Sequence, residues 1–125
     1  MEYRFTFKGI LPNLNDYTDA QRTNKYNGAK MKRDAQSDVA WAIKTQMRGI
    51  HITKPVFIEY TFYEPNRRRD KDNISGFAHK VIQDALVQMK VLKDDGWDEI
   101  VGFSDNFGID KKTPRIEVIL KEVEL

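Results

Sequence analysis

Two aspartates, Asp70 and Asp72, stand two residues apart in the run Arg67-Arg68-Arg69-Asp70-Lys71-Asp72-Asn73. Carboxylates at that spacing in a loop can point at one centre. Magnesium takes oxygen ligands, accepts one or two carboxylates and keeps several waters. The three arginines beside them match phosphate, because a guanidinium offers it two parallel hydrogen bonds. A metal that bridges a phosphodiester oxygen and a water needs this mixture of cation and anion attraction. The same run also has a plainer reading. Asp72 can be only a helix cap, favoured by the helix dipole, and the arginines can be a solvated loop pairing with Asp70.

A second acidic cluster follows at Asp94, Asp95, Asp98 and Glu99. Asp-Asp-Gly is good turn chemistry by itself. A metal role for it requires the chain to return, because a helix of ~16 residues would hold the two acidic groups about 24 Å apart. Lys80 and Asp84 sit between the clusters at i,i+4 spacing. They are either an exposed pair or groups that face the acidic loop.

The elements that must position these residues follow from hydrophobic period. Tyr3, Phe5 and Phe7 alternate with polar residues, which predicts a half-buried strand. Residues 11–30 lose all periodicity and read as a long polar loop, of the kind that is usually functional or disordered. Ala35, Val39, Ala42, Ile43 and Met47 predict a helix from about Asp34, with Gly49 just past its end. Val56, Ile58, Tyr60 and Phe62 predict a strand that runs out at Glu64-Pro65-Asn66. Ile74, Phe77, Ala78, Val81, Ile82, Ala85, Leu86 and Met89 form the full apolar stripe of a core-facing helix, capped by Asp72 or Asn73. A turn at Asp94-Asp95-Gly96 leads to a short strand around Ile100–Phe103, and a last strand runs from Arg115 to about Val123. Pro114 opens it, where a missing donor is tolerated. This order predicts one domain over residues 1–125, an α/β or α+β fold with two main helices on a small mixed sheet.

Composition narrows the function further. The 125 residues suffice for one real core. With 40% apolar and 32% charged residues the chain is neither disordered nor fibrous. There is no cysteine, which excludes disulfides, thiolate metal sites and a cysteine nucleophile. Only two histidines, His51 and His79, are present, which disfavours histidine-rich metal sites. No apolar run approaches a membrane span, and the N-terminus does not read as a secretory signal, so a cytoplasmic protein is expected. Net charge is +2, but residues 1–50 carry +4, residues 51–90 carry +2 and residues 91–125 carry −4. A basic N-terminal half suits a polyanionic partner, although such an asymmetry also arises by chance. Trp41 reads as helix packing or an interface residue. Trp97, beside the acidic turn, reads as a lid over a core edge or as a base-stacking group.

These residues resemble the RusA family of Holliday-junction resolvases, small magnesium-dependent nucleases of bacteria and their prophages. Three blocks carry the resemblance in order: Arg67 to Asn73, similar to a basic run followed by Asp-x-Asp-Asn; Asp84-Ala85-Leu86; and Asp94-Asp95 reached through Val91-Leu92-Lys93. Leu11-Pro12-Asn13-Leu14-Asn15 also resembles the family's Pro-x-x-Asn element. The resemblance implies that Asp70, Asp72 and Asp95 hold Mg²⁺, with Mn²⁺ as a substitute, and that Lys80 is a positive group near the scissile phosphate. It implies that Arg67, Arg68, Arg69, Asn73, Lys80 and the Asn13–Asn15 loop hold DNA. It further implies a homodimer that cuts a four-way junction symmetrically in recombination and repair, with no small-molecule cofactor. Two equivalent sites on a two-fold protein suit two symmetric cuts. This chain departs from shorter members by about one extra helical turn between Asn73 and Lys80, which moves Lys80 by roughly 5.4 Å. A catalytically inactive junction-binding protein of a prophage is the alternative. It needs the same basic residues but no carboxylate cluster.

Overall fold

A computed structural model describes residues 1–124. Its strands form one mixed sheet in the order β1-β4-β2-β3. Strand β1 (Glu2–Lys8) lies antiparallel to β4 (Arg115–Glu122), with Phe5 opposite Val118. Strand β2 (Val56–Glu64) is antiparallel to β4 and parallel to β3 (Ile100–Ile109). Parallel neighbours need a crossover, and helix α3 (Lys71–Gln88) supplies it. The architecture is α+β, as the strand and helix periods predict. A third, shorter helix joins the two main ones.

One face of the sheet carries the core. Val56, Ile58, Tyr60 and Phe62 of β2, Ile116, Val118 and Leu120 of β4, and Phe5 are buried under the stripe of α3 and under Val39 and Ile43. The other face is a lattice of charged pairs. Lys121 Nζ donates to Glu59 Oε1 at 2.8 Å, and Arg115 donates to Glu117 and Asp110 at 2.8 and 2.9 Å while lying 4.0 Å over the Tyr63 ring. Lys121 and Arg115 are thus already matched by carboxylates.

The stretch 11–30 is not a loop. It holds helix α1 (Leu14–Thr23) and the first turns of helix α2 (Lys25–Gln46), which begins well before Asp34. Local hydrogen bonding builds both. The Asn13 side chain accepts from the Asp16 N–H at 2.8 Å, and the Asp16 carboxylate accepts from the Asn13 N–H at 3.3 Å. This reciprocal box satisfies two of the donors a helix start leaves unmet. Asn24 ends α1 and caps α2 by accepting from the Asn27 N–H at 2.8 Å. Helix α1 buries no residue fully; it is held by Tyr17 against Phe77, ring centroids 4.8 Å apart, and by the close approach of Gly28. A Cβ on Gly28 would overlap the Gln21 side chain and lie 3.2 Å from its Cα.

Two smaller expectations are also corrected. Helix α3 is capped at Asp70, not at Asp72 or Asn73, and its first turn closes by Ile74 N–H donating to Asp70 O at 3.0 Å. Strand β3 runs on to Ile109, well past Phe103, because Gly102 through Ile109 find partners on β2.

Candidate active site

The Arg-Arg-Arg segment follows the carboxyl end of β2, and α3 starts immediately after it. Ligand sites in parallel α/β units lie outside the carboxyl ends of strands. The parallel register puts Ile109, the end of β3, beside Glu64, the end of β2. A cleft of about 950 Å³ opens there, lined among others by Asn66, Arg67, Asp70, Asp72 and Phe107.

A buried ion pair fixes this corner. Glu64 is only 6% exposed. Arg69 donates to its two oxygens from Nε at 2.8 Å and from Nη2 at 2.9 Å, and from Nη1 to the Leu11 carbonyl at 2.7 Å. All three arms of the guanidinium are therefore committed to the fold. Arg69, expected to hold phosphate, is the clamp that ties the loop to β2 and to the chain leaving β1. Arg67 and Arg68 are exposed, on a turn in which the Arg68 N–H donates to Asn66 Oδ1 at 3.0 Å.

Asp70 and Asp72 are exposed and both line the cleft. The Asp70 side chain makes no capping bond. Asp72 Oδ1 accepts from the Asn73 N–H at 2.9 Å, which leaves its second oxygen to other partners. Both sit at the positive end of the α3 dipole, which attracts negative charge. Lys71 between them also lines the cleft, its Nζ lying 5.6 Å from the Phe107 ring centroid.

Asp95 is elsewhere in the chain. It sits near Asp84, whose position twelve residues beyond Asp72 on α3 places it about 18 Å further along the helix axis. Burial first, then the negative charge of Asp84, with a further contribution from Asp94, holds the Asp95 carboxyl above its usual range. Asp84 itself is paired with Lys32 on α2 at 2.6 Å. Among the described residues, no three His, Cys, Asp or Glu side chains come together as a metal-binding group. Among the described residues, the return of the chain that would join Asp95 to Asp70 and Asp72 does not occur within this chain.

The other expected residues are spread around this corner. Lys80 is exposed on α3, eight residues and about 12 Å of helix rise beyond Asp72. Asn73 is half-buried in the first turn of α3. The Asn13 side chain is spent on the α1 cap, whereas Asn15 is exposed. Two functional-looking features were not foreseen. Glu64 is one, although strict alternation from Val56 through Phe62 puts it on the buried face. The other is His79, whose Nε2 donates to Asp105 Oδ1 at 2.7 Å; its ring lies 4.6 Å from Tyr60 and 4.7 Å from Phe103.

No helix among the described residues is long and apolar enough to cross a membrane. A comparison with curated proteins finds no match. A family model described as endodeoxyribonuclease RusA matches residues 10–121, from the chain after β1 to the end of β4. That span contains the whole cleft, the α3 crossover and the acidic turn, and the chain belongs to the RusA endodeoxyribonuclease family.

Proposed function

We propose that this protein is a structure-selective endonuclease that resolves four-way DNA junctions by paired, Mg²⁺-dependent cuts. One observation carries the reading: Asp70 and Asp72 both line a cleft beside exposed Arg67 and Arg68. Two carboxylates with room for waters fit magnesium, and Mn²⁺ would substitute on the same oxygens. When bound, the ion would activate a water and offset charge on the attacked phosphate. Asp70 and Asp72 hold it. Arg67, Arg68 and Lys80 grip backbone phosphates, and Asn15 and Asn73 add polar contacts; such contacts set register on DNA without reading sequence. The proposed setting is recombination and repair in a bacterial cytoplasm, with the gene in the host or in a prophage.

Asp95 joins this site through a second copy of the chain. Strand β3 is an edge of the sheet, and it exposes Val101, Phe103 and Ile109 by 42, 50 and 46%. A long apolar edge is a template for pairing with another strand. The opposite edge, β1, carries Glu2, Arg4 and Lys8 instead. The cleft with Asp70 and Asp72 lies at the Ile109 end of β3, and Asp95 precedes its Ile100 end. Two β3 strands paired antiparallel about a two-fold axis bring the Asp95 turn of each protomer toward the cleft of the other. A homodimer built this way has two equivalent shared sites, as two symmetric cuts require.

The test is a nuclease assay on a synthetic four-way junction and a linear duplex of the same sequence, each with Mg²⁺, with a chelator and with Asp72→Asn. Paired symmetric nicks on the junction alone, lost in the last two conditions, are expected. Tight junction binding with no cutting under any metal would replace this reading with that of an inactive junction-binding protein.

A further inference from the structure

Trp97 is 96% exposed, the most exposed large apolar side chain among the described residues. We propose that Trp97 stacks on an unpaired base at the branch point of a junction, an inference that rests on the junction-cutting reading above.

The indole is presented by a braced turn. The Ile100 N–H donates to Gly96 O at 3.0 Å, the Val56 N–H to Glu99 O at 2.9 Å, and the Asp95 N–H to Asp94 Oδ1 at 2.8 Å. An aromatic held out on a fixed turn is pre-organised for a flat partner. Its neighbours say what that partner is. Asp94, Asp95, Asp98 and Glu99 surround it with negative charge, which repels a phosphate backbone. A neutral base turned out of its stack meets no such penalty, and every base has a face on which an indole can stack. Stacking is interrupted between the arms at a branch point, so a base is turned out there at lower cost than in a continuous duplex.

Position agrees with this. Trp97 follows Asp95 by two residues, a reach of about 7 Å, or two base steps along one strand. The shared site therefore places the indole next to the cleft where a strand is cut. Trp41, the other tryptophan, is 65% exposed but has Lys44 Nζ 5.6 Å from its ring centroid, and lies on α2 away from the acidic turn.

The experiment uses full-length protein carrying Asp72→Asn, so that junctions are bound and left uncut, and a junction with one unpaired 2-aminopurine at the branch point. Binding should quench the 2-aminopurine. Adding Trp97→Ala should abolish the quench and weaken junction binding about five- to a hundredfold, with linear duplex binding unchanged. Trp97→Phe should keep most of both. Unchanged quenching and affinity in Trp97→Ala would overturn the inference. So would conversion of Trp97→Ala to a monomer in sedimentation, which would make the indole an interface side chain. Failure of the protein with Trp97 intact to prefer a junction over a duplex would instead overturn the parent reading.

Discussion

Replacing Glu64 by alanine isolates the Arg69 guanidinium in the corner that carries Asp70. The Glu64 and Arg69 side chains are 7% and 17% exposed, so neither is rescued by bulk water. Glu64→Ala removes the acceptors of two of the three guanidinium hydrogen bonds, at 2.8 and 2.9 Å, and leaves only the Leu11 carbonyl. Hydrogen bonds to charged groups contribute about 1.5–3 kcal/mol each, and breaking a buried ion pair on one side costs about 3–5 kcal/mol. We expect a loss of ~3 kcal/mol, or about 10–15 °C in Tm for a chain of this length. The assay is urea unfolding of Glu64→Ala, Arg69→Met and the double variant Glu64→Leu/Arg69→Met. The double variant should be more stable than Glu64→Ala, because no charge is then left buried alone. If Glu64→Ala stays within about 0.5 kcal/mol of wild type, as surface substitutions do, the pair is not buried in the way described and Arg69 is free to hold phosphate after all.

Three further outcomes follow from local geometry. Gly28→Ala should destabilise by about 1–3 kcal/mol in thermal unfolding, because its Cβ overlaps Gln21 where α1 meets α2. Asp110 is held at about 2, first by the Thr113 N–H, then by the Thr113 hydroxyl and Arg115. A depressed carboxylate adds stability that is present above pH ~4 and lost as pH falls toward ~2. The urea midpoint of wild type should therefore fall more between pH 5 and pH 2 than that of Asp110→Asn. Val101→Lys puts a charge on the exposed β3 edge, the device that natural edges use against pairing, and should weaken the dimer by at least about tenfold in sedimentation.

Much of the fold can be read directly from hydrophobic period, and the failures have physical reasons. The stripe of α3 is legible because helix and core agree: Ile74, Phe77, Ala78, Val81, Ile82, Ala85 and Leu86 are all buried. Helix α1 is invisible to the same test because it buries nothing fully and stands on the Asn13–Asp16 box and on Tyr17. The Asn-rich stretch that suggested a loop is the capping chemistry itself. At the site, the adjacency of Asp70 and Asp72 is a local matter and spacing reveals it. Whether Asp95 reaches them depends on which end of β3 the turn occupies, which is not written in local sequence. Arg69 looked like its two neighbours because its partner, Glu64, belongs to the preceding strand. The parity of that strand would have exposed the pairing.

Complementation on a four-way junction distinguishes a metal site shared between two copies of the chain from one built within a single chain. Asp72→Asn and Asp95→Asn chains, differently tagged and co-expressed, are purified as mixed dimers and assayed with Mg²⁺. If sites are shared, a mixed dimer contains one site with both substitutions and one with neither, so each single variant is inactive while the mixture nicks one strand of the junction. A mixed dimer that binds the junction and cuts nothing would return all three aspartates to a single chain.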